Sequence, residues 1–353
     1  MRKTEWFQLD CEMEETQLCH SEAIKRSAAY LRQGKLIAFP TETVYGLGAI
    51  ATSRESVAQI YTAKGRPSDN PLIIHIGKKE HLTRWVCRFP ESAQKLAEKY
   101  WPGPLTMVLP HRNNLAENVT AGLPTVAVRM PDHLVALALL NEVDIPVAAP
   151  SANRSGKPSP TTAEHVLNDL AGRIDGILDG GPTGIGVEST VIDVSGEVPV
   201  LLRPGGVTLE QLQETLGEVQ VDPGLTDQNQ APRSPGMKYR HYAPRGEMWL
   251  VKGELRAVTV YIQQRVQEAI ENGKRVGVLT TEENQGKYQA DCVIAAGSRK
   301  DPSSVAHHLY DALRRFDEQK VDVIFAEAFP ERGLFASVMN RMKKAASGNM
   351  VEV

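Results

Sequence analysis

Apolar positions at Ile24, Ala28 and Leu31 fall on one face between residues 21 and 32, a spacing that predicts an amphipathic helix ended by Gly34. A short apolar run, Leu36 to Phe39, reads as a strand and leads into Pro40-Thr41-Glu42-Thr43-Val44-Tyr45-Gly46-Leu47-Gly48. Helical spacing returns at Val57, Ile60 and Tyr61. It breaks at Lys64-Gly65-Arg66-Pro67-Ser68-Asp69-Asn70-Pro71, before an apolar strand, Leu72 to Ile76, that carries His75. A helix around Ala93 to Tyr100 stops at Trp101-Pro102-Gly103-Pro104, and alternation from Leu105 to Leu109 starts another strand. Trp101 is expected to anchor the core.

Thr125 to Pro131 reads as a strand with Arg129 near its end, and Val147-Ala148-Ala149-Pro150 as another that runs out into Ser151-Ala152-Asn153-Arg154-Ser155-Gly156. Ile177 to Asp179 precedes a glycine-rich segment, Gly180 to Thr190, then strands Val191 to Val194 and Val198 to Leu202, the latter ending at Arg203-Pro204-Gly205-Gly206. Thr208 and Gln211 form a capping box for a closing helix. Strands outnumber helices and their connections are short, which predicts a twisted mixed sheet carrying helices rather than a regular parallel repeat.

From about Gly217 the chain turns polar and turn-rich, a linker by composition, and ends in Ser234-Pro235-Gly236-Met237-Lys238-Tyr239-Arg240-His241-Tyr242-Ala243-Pro244. Cations and aromatics together are more than a spacer needs. Beyond it, helices 255–271, 305–316 and 334–345 alternate with strands 276–280, 292–296 and 321–326, the pattern of a small parallel α/β layer. The expected organisation is therefore a first domain over 1–217, a linker or lid over 218–245, and a Rossmann-like domain over 246–353. His307 and His308, on a helix there, read as ordinary histidines.

The formal charge of −3 on 353 residues gives no overall footprint for nucleic acid, so any anion site must be local. The four cysteines have no metal-site spacing and read as reduced thiols of a cytoplasmic protein; no apolar run reaches membrane-spanning length, and no structural metal is expected. Lys64 and Arg66 place two cations where a helix gives way to a strand, between a glycine and two prolines, which suits a polyphosphate and equally describes a solvated basic turn. Hydroxyls and a carboxylate in 40–48 stand at a strand exit, where open α/β sheets bind ligands. Arg129 is a candidate carboxylate fork. The segment 180–190 matches neither common nucleotide-loop pattern, though its amides could form an anion nest.

In this order, PTETVYGLG, KGRPSDNPLIIHI, the SxN of Ser151 to Asn153, GVESTVID, LLRPGG and SPGMKYRHYAP resemble the pattern of the threonylcarbamoyl-AMP synthases, in their long form with a YrdC-like catalytic domain. The resemblance covers nearly everything after residue 20. It implies an enzyme that joins L-threonine, bicarbonate and ATP into threonylcarbamoyl-AMP, releasing pyrophosphate, for later transfer by a separate complex to the adenosine beside the anticodon of tRNA. It implies a basic and polar catalytic set of Lys64, Arg66, Ser151 and Asn153. Arg66, Asn70, Thr125, Ser151, Ser159, Arg203 and Tyr242 match ATP-binding positions, and Thr43, His75, Arg129, Ala149 and Ser189 match threonine-binding positions, Ala149 through its backbone. Magnesium would ride on the ATP phosphates, with no protein cage. The competing reading is an RNA-binding or ribosome-associated module with the same fold, whose groove is a basic trough in weak contact with RNA. A third, a carbamoyl-transfer domain of hydrogenase maturation proteins, lacks the companion domains.

Overall fold

The protein was studied as a computed structural model, which describes residues 2–9, 13, 15–68, 70–225 and 242–353. Two compact units divide the chain. The first comprises Met1–Ser155, Ser159–Gly184 and Glu188–Lys238, and the second Gly156–Pro158, Ile185–Val187 and Tyr239–Val353. The second unit thus takes in two short segments from inside the region expected to be the first domain.

The first unit is built on one mixed sheet whose eleven described strands are β1 (Glu5–Gln8), β2 (Ile37–Phe39), β3 (Gly46–Ile50), β4 (Ile73–His75), β5 (Leu105–Pro110), β6 (Thr125–Arg129), β7 (Val147–Ala148), β8 (Gly176–Asp179), β9 (Thr190–Asp193), β10 (Val200–Arg203) and β11 (Gln220–Val221). Their spatial order is β1-β8-β2-β3-β7-β4-β6-β5-β9-β10-β11, with parallel and antiparallel pairs intermixed. Because side chains alternate across a strand, each strand supplies two surfaces. One carries Ala38, Leu47, Ile74, Met107, Val128 and Ile192 and is buried under the apolar stripes of helices Arg54–Lys64, Glu91–Tyr100 and Ala163–Leu170.

The opposite surface is divided. Over β1, β8, β2 and β7 it is packed by helices Glu22–Arg32 and Leu134–Val143 through Ile24, Leu31, Leu139 and Val143. Over β4, β6, β5, β9 and β10 it holds a small apolar patch made of strand residues alone, Ile73, Ala127, Val108, Val191 and Leu202. That uncrowded half is where polar side chains accumulate.

Local signals explain most boundaries. Ser53 caps helix Arg54–Lys64 by accepting from Ser56 N, and Gly65 ends it in the left-handed region at φ 64°. A Cβ at Gly65 would meet Arg154 Nη2 at 3.1 Å, so the glycine also lets that guanidinium lie against the backbone. Thr208 and Gln211 form the expected reciprocal cap. Trp101 is buried and donates its indole N–H to Leu105 O at 2.7 Å. The second unit has a fully parallel sheet of β12 (Glu247–Lys252), β13 (Val276–Thr280), β14 (Cys292–Ala295), β15 (Val323–Glu327) and β16 (Met350–Glu352), ordered β14-β13-β15-β12-β16, with helices Leu255–Glu271, Pro302–Glu318 and Leu334–Ala345.

Candidate active site

The strand register of the first unit sets polar residues side by side. His75 on β4 pairs with Arg129 on β6, and Arg129 pairs with Thr106 on β5. The Thr106 hydroxyl lies 2.8 Å from the hydroxyl of Ser189, which directly precedes β9. On the other side of His75, the Ala149 N–H donates to Ile73 O at 2.9 Å, so that amide is committed to the sheet. A row of Ala149, His75, Arg129, Thr106 and Ser189 therefore crosses neighbouring strand ends, and all five are buried.

The loop after β2 closes one side of this row. Thr41 and Thr43 share a hydroxyl contact of 2.8 Å, and Thr41 also donates to Val44 O, which folds the loop tightly. Between them Glu42 reaches Arg129, carboxylate Oε2 to guanidinium Nη2 at 2.6 Å. Arg203 closes the other side, donating to Ser189 O from Nε at 3.1 Å and from Nη2 at 2.9 Å, and to the Ser189 hydroxyl at 3.2 Å. Burial, with the Arg129 charge adding to it, pushes the His75 pKa down to about 3, so its imidazole is neutral at physiological pH. His75 Nδ1 is buried without a hydrogen-bond partner.

A second knot forms where helix Arg54–Lys64 ends. Lys64 Nζ donates to Ser151 O at 2.5 Å, Asn153 O at 2.7 Å and Asn153 Oδ1 at 3.2 Å, while the Ser151 hydroxyl donates to Asn153 Oδ1 at 2.6 Å. The Gly46–Ser151 bridge fixes this loop beside β3. Lys64 and Arg66 are both buried, so the solvated-turn reading of this stretch fails. Lys64 fastens the loop as well as charging it. Arg66 lies over the Tyr61 ring at 6.0 Å, and the Tyr61 hydroxyl holds the Asn70 carbonyl at 3.1 Å.

The remaining expected residues are more scattered. Ser159 donates to Glu188 Oε1 at 2.6 Å. Thr125 opens β6 and lies four residues along the strand from Arg129, on the same sheet surface. Tyr242 belongs to the second unit, where it is buried, has φ 64° and stacks on Tyr310 with ring centres 5.3 Å apart. Asp69 and linker residues 226–241 lie outside the described residues. Glu42 stood in the sequence as part of a polar segment without a role of its own. Glu188, inside the GVESTVID motif, and Thr106, inside the strand Leu105 to Leu109, carry no role in the sequence reading, although a threonine among apolar residues there is a signal. Among the described residues no group of three or more His, Cys, Asp or Glu could hold a metal ion.

This geometry sits in a recognisable sequence context. Residues 29–205 match the family described as "Telomere recombination", whose label joins Sua5, yciO and yrdC, and residues 207–347 match the threonylcarbamoyl-AMP synthase C-terminal domain. The chain is 55% identical to threonylcarbamoyl-AMP synthase of Bacillus subtilis, over 93% of this chain and 94% of that one. It is 48% identical to the Pyrococcus abyssi enzyme of the same name, over 94% and 96%. The solved structure of P. abyssi Sua5 complexed with L-threonine superimposes with a TM-score of 0.89 at 45% identity, covering 100% of this chain and 99% of the other. By sequence over 93% of its length and by fold over all of it, this chain belongs to the threonylcarbamoyl-AMP synthase family.

Proposed function

We propose that the polar row of the first unit is where this enzyme makes threonylcarbamoyl-AMP from L-threonine, bicarbonate and ATP, releasing pyrophosphate and water. The observation that carries the reading is the buried arginine and neutral histidine side by side on the half of the sheet that has only a small apolar patch. Buried polar groups are costly, and a row of them at strand ends is the feature a ligand would compensate.

In the proposed reaction the threonine amino nitrogen, once deprotonated, attacks the carbon of bicarbonate; a C–N bond forms and water leaves. An oxygen of the resulting carbamate attacks the α-phosphorus of ATP. The bond to the β-phosphate oxygen breaks and pyrophosphate departs with its electrons. Arg129 receives the threonine carboxylate; Thr43, His75, Ser189 and the Ala149 backbone fit the rest of the amino acid. Arg66 and Lys64 face the growing charge of the triphosphate, with Ser151 and Asn153 held in place by Lys64. Asn70, Thr125, Ser159 and Arg203 take the nucleotide.

Magnesium would be held by triphosphate oxygens and water. It would neutralise phosphate charge. The product, a mixed anhydride prone to hydrolysis, calls for a separate tRNA threonylcarbamoyl transferase complex to use it promptly, and for a site closed to water. Residues 218–245 are proposed to serve as the lid of a catalytic domain spanning 1–217, and residues 246–353 to form a Rossmann-like C-terminal domain.

The test is incubation with ATP, labelled bicarbonate and each amino acid in turn, following pyrophosphate and labelled adenylate. Threonine should exceed serine by about 10- to 200-fold, the worth of one methyl group in a fitted pocket. Pyrophosphate release that does not depend on threonine would overturn the reading.

A further inference from the structure

Glu42 and Arg129 are an ion pair with unused capacity. Their side chains are 11% and 5% exposed, and their charged atoms approach to 2.6 Å, yet without the alignment of a hydrogen bond. Both Glu42 carboxylate oxygens and Arg129 Nη2 are buried without any hydrogen-bond partner. An ionised carboxylate can accept from several donors, and leaving it bare inside a protein is expensive even beside a positive charge. The neighbours do not relieve it. Thr41 and Thr43 spend their contact on one another, His133 presents a buried ring nitrogen that is itself unpartnered, and burial lowers the His133 pKa, which favours the neutral ring. Asp132 adds negative charge on the exposed side.

The two deficits are complementary. The carboxylate lacks donors and the guanidinium Nη2 lacks an acceptor, Arg129 Nε being engaged by Gly103 O at 3.3 Å, and they lie side by side. An amino-acid zwitterion supplies both, an ammonium with three donors and a carboxylate, at the same close spacing and with opposite polarity. We propose that Glu42 binds the α-ammonium of the amino-acid substrate while Arg129 binds its carboxylate, so that the pair reads the zwitterionic backbone rather than the side chain. This rests on the threonine-dependent reading given above. When the amine becomes a carbamate nitrogen it loses its positive charge, and the Glu42 contact weakens during the reaction. Glu42 therefore acts on substrate capture and raises affinity more than turnover.

The test compares binding of L-threonine and of its deaminated analogue, (2S,3R)-2,3-dihydroxybutyrate, to the full chain and to Glu42→Gln, with circular dichroism and ATP affinity as checks on the fold. The native chain should prefer threonine by about 30-fold, as expected for a charge-assisted contact, and Glu42→Gln should reduce that preference to about threefold or less. KM for threonine should rise far more than kcat falls. A preference that survives in Glu42→Gln overturns the proposal, because equal weakening of both ligands means that Glu42 only props Arg129. If Glu42→Gln does not fold, Glu42→Asp, which keeps the charge but withdraws it by one methylene, carries the same comparison, and an undiminished preference again overturns it. A native chain that binds no threonine at all would instead refute the proposed function.

Discussion

Each unit buries a glutamate against an arginine, and the two pairs are finished differently. In the second unit Glu327, at the end of β15, has Arg299 Nη2 at 2.8 Å from Oε2, while Oε1 accepts from Thr280 at 2.8 Å, Asn284 at 2.9 Å and Tyr288 at 2.7 Å. Arg299 also covers the Phe329 ring at 4.7 Å. In the first unit, Glu42 and Arg129 have each other at 2.6 Å while three of their charged atoms accept or donate no hydrogen bond. Both stand at strand ends, where α/β folds bind ligands. Arg299 Nε is also buried without a partner, so the contrast lies in the carboxylates: both Glu327 oxygens accept hydrogen bonds and neither Glu42 oxygen does, the difference expected between a scaffold and the proposed site.

The comparison is broken most severely at the satisfied pair. Glu327→Ala removes the acceptor for four donors and leaves the Arg299 charge uncompensated, which should cost about 3 to 5 kcal/mol of the second unit's stability. Calorimetry would register this as a lowered unfolding transition, and an unchanged transition would mean that the network is ornamental. Arg66→Ala comes next, on the other side of the comparison. It should slow adenylate formation by about a hundredfold, roughly 3 kcal/mol of transition-state stabilisation, with the fold intact by circular dichroism. Near-normal turnover would remove Arg66 from the site.

These two pairs also show how far sequence alone reaches. Helix 255–271 and strand 276–280 follow from period and turn residues, and the observed bounds Leu255–Glu271 and Val276–Thr280 agree. The polar segments around Thr43, Lys64 and Ser151 stood out because each is a compact cluster of unusual residues beside an apolar run. Strand β1 was illegible because its pairing partner, β8, lies some 170 residues away, and pairing rather than local pattern makes it a strand. Strands β12 and β16 were missed in the same way; each pairs with a distant segment. The Glu327 network could not be read at all, since Thr280, Asn284, Tyr288, Arg299 and Glu327 follow no spacing rule. The Glu42–Arg129 contact joins residues on β2's exit loop and β6, and only the register of the sheet brings them together.

A smaller effect tests the neutral histidine beside Arg129. An unfolded chain takes up a proton on histidine near pH 6.5, whereas folded His75 resists it down to about 3, through burial first and the Arg129 charge second. The unfolded state therefore binds more protons between those values. Stability from this source is intact above pH 6.5 and is lost as pH falls toward 3. Between pH 7.5 and 5 the first unit should lose about 2 kcal/mol through His75, and His75→Asn should show a correspondingly shallower acid slope in denaturant titrations. Identical slopes would mean that His75 already carries its proton in the folded protein.

The smallest predicted difference is also the closest match between the two regions, because the same kind of atom is deleted from each. Tyr288→Phe removes one hydroxyl donor from Glu327, which keeps Thr280, Asn284 and Arg299. Thr106→Val removes one hydroxyl at nearly constant volume from the row beside Arg129, where its contact is the Ser189 hydroxyl at 2.8 Å. In the satisfied network the deleted bond reached a charged, fully buried acceptor, so Tyr288→Phe should cost about 1.5 kcal/mol in stability and leave the threonine KM unchanged. In the row, Ser189 retains Arg203 as a donor at 3.2 Å, so Thr106→Val should cost under about 1 kcal/mol in stability. Its effect should instead be a rise in threonine KM of about fivefold, because the Ser189 hydroxyl loses one of the two groups that aim it, and a contact of about 1 kcal/mol is worth that much in binding. Parallel measurements of melting and threonine KM on the two variants decide the matter. If Tyr288→Phe shifts KM, or Thr106→Val shifts only stability, the division between a self-sufficient network and a ligand-directed one is wrong.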